Sequence, residues 1–304
     1  MVRPMSEVVA IFGPTGVGKT AVAVELADLL RARGEDPVAV SADALQVYRG
    51  LETLTGVASA AERARLDHRL VAFRDPGDSF SAGEFMPLAH AEIDAALESG
   101  RRPIVLGGTG LYLRAALTEL SLPPAPPPEL RAHWRRAVDE RGPAALHAEL
   151  RERSPRAAAA IAPTDRTRIV RSLELLDLGE EPPATGDSEL WTAAARRPTR
   201  LFGLTRARED LYARIERRVD AMVAGGGAAD EVRRAAAAGV SHTARKALGF
   251  EELLAGDVEG MKRRTRNYAK RQLTWMRKLA GVTMLDLTGR DPADVAREIA
   301  GELA

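Results

Sequence analysis

The 304-residue chain contains no cysteine and only five histidines. Disulfide frameworks, thiolate zinc sites and cysteine nucleophiles are therefore excluded, and a histidine-based structural metal site is not expected. Any metal should be a hard cation held by oxygen. No stretch approaches the roughly 18 uninterrupted apolar residues that a membrane span needs. Residues 1–6 lack the charged start, apolar run and small-residue cleavage site of a signal peptide, so a cytoplasmic location is expected. With 45% hydrophobic and 29% charged residues, the composition is that of an ordinary globular protein, which rules out collagen-like, low-complexity and disordered chains. The length fits one large domain, or one domain with an appendage.

Acid of compensating charge is also missing in one place. Residues 262–278 hold eight Lys or Arg and no Asp or Glu, and removing them from the net +1 leaves −7 for the rest. So local a basic segment in a mildly acidic chain is what contact with a polyanion looks like.

What is present is an alternation of strands and helices. Val8–Phe12 is a short apolar run ending in a glycine-rich turn, and residues 20–32 follow with helical spacing at Val24, Leu26, Ala27 and Leu30. A second β-type run covers residues 37–41 and ends at Ala42-Asp43. A third covers residues 103–106 and ends in Gly107-Gly108-Thr109-Gly110 before another helical pattern. The pattern predicts an α/β fold: a P-loop parallel sheet core flanked by helices, with ligands at the carboxyl ends of the strands. Five of the six residues 123–128 are proline, and residues 179–187 form a second stretch of glycine, proline and acid. Read as linkers, they bracket residues 129–178, rich in Ala, Leu, Arg and Glu without strand-like alternation. The expected organisation is thus a core of residues 1–122 and 188–304 and a helical insertion domain of residues 123–187. After it the chain is expected to rejoin the sheet at residues 201–204. Helices are predicted over residues 206–223, 228–238 and 258–279, and a strand over residues 282–287.

Gly13-Pro14-Thr15-Gly16-Val17-Gly18-Lys19-Thr20 is a complete phosphate-loop pattern between a strand and a helix. Glycines let backbone N–H groups turn towards phosphate oxygens, the helix N-terminus adds partial positive charge, Lys19 adds a full one, and the Thr20 hydroxyl reaches Mg²⁺. A bare glycine turn that merely starts a helix is the plainer alternative, and the strand-to-helix context disfavours it. An NTPase usually places an acid at the end of a later strand to organise Mg²⁺, but here residues 103–106 end in glycine and threonine. Asp43 is the nearest acid at a strand end, and it suits a base at least as well as a metal ligand. Its plain alternative is a structural Asp or helix cap.

The phosphate loop, Ser41-Ala42-Asp43-Ala44-Leu45-Gln46-Val47-Tyr48-Arg49-Gly50 and Gly107-Gly108-Thr109-Gly110-Leu111-Tyr112-Leu113, in that order, resemble the tRNA dimethylallyltransferases, also called tRNA isopentenyltransferases, of bacterial type. The resemblance continues through residues 164–174, 211–219 and 265–275, and so covers nearly the whole chain. It implies that dimethylallyl diphosphate occupies the phosphate loop and that its prenyl group passes to N6 of the adenosine 3′ of the anticodon. The exocyclic amine is a weak nucleophile, so a carboxylate such as Asp43 that orients it and takes its proton assists attack. Diphosphate leaves well only when its charge is neutralised, by Lys19, the loop amides and Mg²⁺ on Thr20. Thr109 is expected to bond the substrate or the base, its plain alternative being a cap on the next helix. The base must be flipped out of its RNA loop to reach Asp43. Gln46 is expected to read base edges, with Ala44 and Leu45 contacting through shape or backbone. Of Arg214, Arg217 and Arg218, the first two are the candidates for diphosphate.

For RNA, the resemblance implies Thr167, Arg168, Ile169, Val170 and Arg171, with Arg131 added. On a helix, Lys262, Arg266 and Lys270 share a row with Arg263 and Arg271 beside it, a face able to track phosphates. Met261, Ala269, Leu273 and Met276 form the opposite apolar stripe. Tyr268 and Trp275 are read as core aromatics rather than base-stacking ones.

Several residues depart from the family pattern. Leu51-Glu52-Thr53-Leu54-Thr55-Gly56 replaces Asp-Ile-Gly-Thr-Ala-Lys, Thr167 stands where glutamine is common, Asp67-His68 only partly keeps a His-His pair, and Ala44 replaces a frequent serine. No zinc-finger extension of the eukaryotic kind is expected. The expected partners are the tRNA anticodon stem-loop and dimethylallyl diphosphate, with no membrane, and the expected state is a monomer. A small-molecule P-loop kinase, a prenyltransferase acting on free adenine nucleotides and a non-catalytic RNA-binding module are the rivals. The basic helix speaks against the first, and the insertion together with the basic helix against the second.

Overall fold

The structure is a computed structural model, and it describes residues 7–183, 190, 192 and 194–303. The signal-peptide reading of residues 1–6 and residues 184–187 of the second linker lie outside that range. Two compact units are present, one built from Met1–Glu119 and Thr192–Ala304, the other from Leu120–Trp191.

The first unit is a six-stranded, all-parallel sheet: β1 (Val8–Phe12), β2 (Asp36–Ser41), β3 (His68–Arg69), β4 (Arg101–Gly107), β5 (Thr199–Thr205) and β6 (Val282–Asp286), in the order β3-β2-β4-β1-β5-β6. β1 runs beside β4 in the register Val9 to Ile104 through Phe12 to Gly107, and beside β5 from Val8 to Thr199 through Phe12 to Gly203. Every residue of β1 is buried, as a central strand covered on both faces must be. The chain moves from β1 to β2 on one side, returns to β4, and only later adds β5 on the other side. β1 therefore sits at a switch point where a crevice opens beyond the strand ends.

Helices α1 (Lys19–Ala32), α2 (Glu52–Thr55), α3 (Ala60–Arg65), α4 (Ala82–Glu98) and α5 (Gly110–Leu117) belong to the first half of this unit. Gly18 starts α1 with φ 111° and ψ 23°, a left-handed conformation that costs glycine least. The sequence reading assigned no helix to residues 82–98. Its signal was a capping box: Ser81 Oγ accepts from the Glu84 N–H, and Glu84 accepts from the Ser81 N–H.

The second unit contains α6 (Pro128–Arg153), α7 (Pro155–Ala159) and α8 (Arg166–Asp177), with α6 kinked at Gly142, φ 78°, just before Pro143. No strand occurs among its described residues. Trp134, Val138, Leu146, Leu150, Ile169 and Leu173 form its own small core. Ile169 is fully buried there, which corrects its reading as an RNA contact: its side chain points into hydrocarbon because it lies on the apolar face of α8.

The chain then adds α9 (Arg208–Ala224), α10 (Gly227–Ala238), α11 (Phe250–Leu254), α12 (Val258–Met276) and α13 (Pro292–Glu302) to the first unit. α13 was not foreseen. Its Val295, Ala296, Ile299 and Ala300 join the core that also holds Leu26, Ala27 and Leu30 of α1. No helix among the described residues is long and apolar enough to cross a membrane.

Ile169→Ala should cost about 2–4 kcal/mol through lost burial and a residual cavity. Thermal or urea unfolding checks this. Unfolding indistinguishable from the parent would mean that Ile169 is not packed as described.

Candidate active site

A cavity of about 570 Å³ opens beyond the carboxyl ends of β1, β2 and β4. Its floor is the phosphate loop. Lys19 Nζ curls back and donates to the carbonyl oxygens of Gly13, at 2.9 Å, and Pro14, at 3.1 Å. Burial lowers its pKa to about 8, the negative charge of Asp43 opposing the shift and the Arg218 guanidinium adding to it. The backbone N–H groups of Lys19 and Thr20, in the first turn of α1, have no intrahelical acceptor and can take an anion.

Some donors elsewhere in the loop are already spent. Pro14 has no N–H, Val17 is fully buried in the core, and Thr15 N–H is already engaged by Gln272 Oε1 at 2.8 Å. Gly13 and Gly16 offer carbonyls, Gly13 to Lys19 and Gly16 to Arg214 Nε at 3.0 Å.

Opposite the lysine stands Asp43. Its Oδ1 accepts from Leu45 N–H at 2.9 Å and from Gln46 N–H at 3.4 Å. Oδ2 has no hydrogen-bond partner among the described residues. The carboxylate is thus fixed by its own loop through one oxygen and can act through the other. Leu45 lines the cavity and Ala44 is half-buried beside it. The Gln46 side chain is engaged at both ends: Oε1 accepts from Ser41 Oγ at 3.0 Å, and Nε2 donates to Gly56 O at 3.0 Å. As the chain stands, this amide braces a wall rather than presenting free edges to a base.

Beyond β4, Thr109 begins α5 without capping it by its side chain. The hydroxyl instead lies 3.2 Å from Tyr268 Oη. Burial, with the nearby Asp43 charge next, pushes the Tyr268 pKa up to about 12, so the phenol stays protonated and able to donate. Tyr268 lines the cavity and is not the wholly core aromatic of the sequence reading.

Gln272 is the residue that sequence reasoning passed over. Buried on α12, it accepts from Thr15 N–H and donates from Nε2 to Gly108 O at 2.7 Å, tying the phosphate loop to the turn after β4. A side chain at Gly108 would put its Cβ 2.4 Å from that Nε2, so only glycine admits the clamp. The one available signal was a polar residue inside the apolar stripe of the helix.

Of the three arginines on α9, Arg214 braces the loop carbonyl of Gly16 and Arg217 stands exposed at the cavity edge. Arg218 is the one turned inward, against Gly56, and burial lowers its pKa. It makes no ion pair among the described residues. Leu54, Val57, Ala58, Val219, Met222 and Met261 give the same cavity an apolar side. His68 also lines it: Nδ1 lies 2.6 Å from Leu66 O, and Nε2 is buried without a partner.

The basic face of α12 is less bare than the sequence alone implies. Lys262 pairs with Asp220 at 2.7 Å and Glu259 at 3.0 Å, and Arg266 with Glu216 at 2.7 Å. The compensating acids Glu216 and Asp220 come from α9 and are invisible in a local count. Arg263, Lys270 and Arg271 are exposed. Arg271 lies over the Tyr268 ring, and Arg263 and Lys270 form no ion pair among the described residues. In the second unit, Thr167 and Arg168 are exposed, and Val170 packs against the small core. Arg171 and Arg131 hold the buried carboxylate of Glu174, and Arg171 also donates to Pro123 O and Pro124 O. Arg171 therefore fastens the start of the proline-rich segment to α8, and Arg131 ties α6 to the same carboxylate.

A cationic floor, one oriented carboxylate and an apolar side can hold a phosphorylated apolar molecule and receive a proton from a partner presented to it. No three His, Asp or Glu side chains converge on a metal position among the described residues. A hard cation would be held here by the Thr20 hydroxyl together with oxygens of the bound anion, the usual manner of Mg²⁺ on phosphates.

Residues 46–279 match the family model described as IPP transferase, and residues 6–74 match that of isopentenyl transferase. The chain belongs to the IPP transferase family. It is 40% identical to the tRNA dimethylallyltransferase of Symbiobacterium thermophilum, over 95% of this chain and 92% of that one. To the tRNA dimethylallyltransferase of Anaeromyxobacter dehalogenans it is 41% identical, over 96% and 98%. Among solved structures, the full-length tRNA isopentenylpyrophosphate transferase of Bacillus halodurans superposes with a TM-score of 0.69 at 35% identity, covering 98% of this chain and 97% of that one. A eukaryotic dimethylallyltransferase acting on tRNA matches with a TM-score of 0.74 at 23% identity, over 98% and 79%, a likeness of fold.

Two outcomes follow from this geometry. Lys19 is charged below about pH 8, so binding of inorganic diphosphate to the free protein should be tight below that pH and weaken by up to about tenfold per unit above it. Calorimetric titration of the parent and of Lys19→Met from about pH 6.5 to about pH 9.5 checks this: the variant should lack the lysine component, and superimposable profiles would exclude it. Gln272→Leu leaves the buried Gly108 C=O unpaired and the half-buried Thr15 N–H without its protein partner, and should cost about 1.5–4 kcal/mol. Equilibrium unfolding measures it, and a loss below about 1 kcal/mol would deny the clamp.

Proposed function

We propose that the chain transfers the dimethylallyl group of dimethylallyl diphosphate to N6 of the adenosine 3′ of the anticodon in tRNA and releases diphosphate. The observation that carries the reading is the pairing, across one cavity, of the buried Lys19 cradle with Asp43, whose carboxylate has one oxygen fixed and the other without a partner. Membership of the IPP transferase family supports it.

In this reading the diphosphate rests against Lys19, the N-terminus of α1 and the Arg218 guanidinium, with Arg217 at the entrance and Arg214 holding the loop. The apolar wall takes the prenyl chain. The flipped adenine meets Asp43, whose Oδ2 accepts a hydrogen bond from N6. As the N6–C1 bond forms and the C1–O bond of the donor breaks, the electron pair leaves on diphosphate and the amine proton passes to Asp43. Tyr268 and Thr109 form a donor pair beside that point. Mg²⁺ bound through Thr20 would supply further neutralisation of the leaving group. Cationic groups placed where charge develops contribute most in a site that excludes water.

RNA is held, on this proposal, by the exposed Arg263, Lys270 and Arg271 of α12 and by Thr167 and Arg168 of the second unit, which supply phosphate contacts. On this proposal the enzyme works as a monomer, in the cytoplasm where its tRNA substrate lies.

The test is transfer of labelled dimethylallyl to an unmodified anticodon stem-loop with Mg²⁺, with ATP and AMP as competing substrates. Label should enter the RNA. Asp43→Ala should lower kcat by about 10²–10⁴-fold while RNA binding persists. Label on AMP, turnover of ATP, or RNA binding with no turnover would each replace this reading with one of its rivals.

A further inference from the structure

Glu231 lies on α10, outside the cavity, and is 7% exposed. No Lys or Arg pairs with it among the described residues. Its two carboxylate oxygens are spent on backbone: Oε1 accepts from Thr53 N–H and Oε2 from Leu54 N–H, both at 2.9 Å. Those are N–H groups of the first turn of α2, a helix of four residues. So short a helix has no stability of its own, because one turn does not repay the cost of nucleation. Its position is set by what grips its ends.

The other end is gripped as well. Gln46 Nε2 donates to Gly56 O, and the same side chain is steadied by Ser41 Oγ. Gly56, the C-cap of α2 at φ 62°, lies directly against the Arg218 guanidinium: a Cβ there would stand 1.5 Å from Nη2 and 2.7 Å from Cζ. Arg218 forms no ion pair among the described residues, and its guanidinium rests against this wall. Leu54, Thr55, Gly56 and Val57 all face the cavity.

We infer that Glu231 is a positioning residue for the prenyl diphosphate site: by holding the N-terminus of α2 it sets the wall that directs Arg218 at the donor. The inference rests on the cavity being the prenyl diphosphate site. Asp43 is fixed by backbone N–H groups of its own loop, Leu45 and Gln46, and among the described residues that loop hydrogen-bonds to α2 only through Gln46 Nε2, on Gly56 O, at the end opposite Glu231. Loosening α2 therefore acts on donor affinity and spares the chemical step.

In Glu231→Gln the volume is kept, but the amide NH₂ must face one of the two N–H donors, so one end of the grip is lost. Steady-state kinetics on the full chain should show the KM for dimethylallyl diphosphate raised about tenfold, with kcat within about twofold and the KM for the RNA stem-loop unchanged. A side chain at position 56 displaces the guanidinium from the same wall, so Gly56→Ala should reproduce the split with Glu231 intact. An unchanged donor KM in Glu231→Gln overturns the inference, as does a rise of donor KM, RNA KM and 1/kcat together with a lowered Tm, which is what a merely structural carboxylate gives. If Glu231→Gln does not fold, Gly56→Ala decides: a donor KM equal to the parent's overturns the role of the wall. Lys19→Ala separates the two claims. If it still binds dimethylallyl diphosphate as the parent does, the site reading fails; if it loses the donor while Glu231→Gln keeps it, only the positioning role fails.

Discussion

Lys19 is buried among groups that neutralise it only in part. It faces two carbonyl oxygens, a single carboxylate across the cavity, and the Arg218 guanidinium, which adds to the strain. Its pKa falls to about 8 from 10.5, so the folded state binds fewer protons than the unfolded between those values. The charge therefore costs stability below about pH 8, and the cost is relieved as pH rises towards 10.5. A charge kept at a cost to folding marks a place where an anion is expected, because an anion supplies the missing partner.

Much of the surrounding structure holds that charge in place. Arg206 and Arg214 donate to the carbonyls of Val17 and Gly16, at 2.8 and 3.0 Å, and brace the loop. Gln272 ties the loop to Gly108. Those contacts come from the segment around α9 and from α12, distant in sequence from the loop they brace, and the two helices are themselves joined by the Lys262–Asp220 and Arg266–Glu216 pairs. The acids that make the basic helix less basic are thus the same ones that fasten it to the site's outer wall. Exposed pairs of this kind contribute little to stability, and their consequence here is geometric: they leave Arg263, Lys270 and Arg271 as the outward charges.

The residue pattern after Arg49 takes on meaning in this setting. Leu51 to Gly56 lacks the lysine of the family pattern, and its Gly56 lets an arginine from α9 approach where a larger residue would collide.

Five of the six strands, the phosphate loop and Asp43 were legible in the sequence because each is a local matter: apolar runs of strand length, glycines before a helix, an acid at a strand end; β3, two polar residues held only by pairing with β2, was not. The helical character of residues 129–178 was legible for the same reason. α4 announced itself only by a capping box, and α13 only by its packing on α1. Tertiary structure alone decided that Ile169 serves a small core, that Arg171 fastens the proline-rich segment, that Arg218 rather than Arg217 turns inward, and that Gln272 is a clamp. A helix presents several faces, and periodicity cannot say what each will meet. Composition and spacing fix which groups are available, while the partner that neutralises, braces or buries each one comes from wherever the fold brings the chain back.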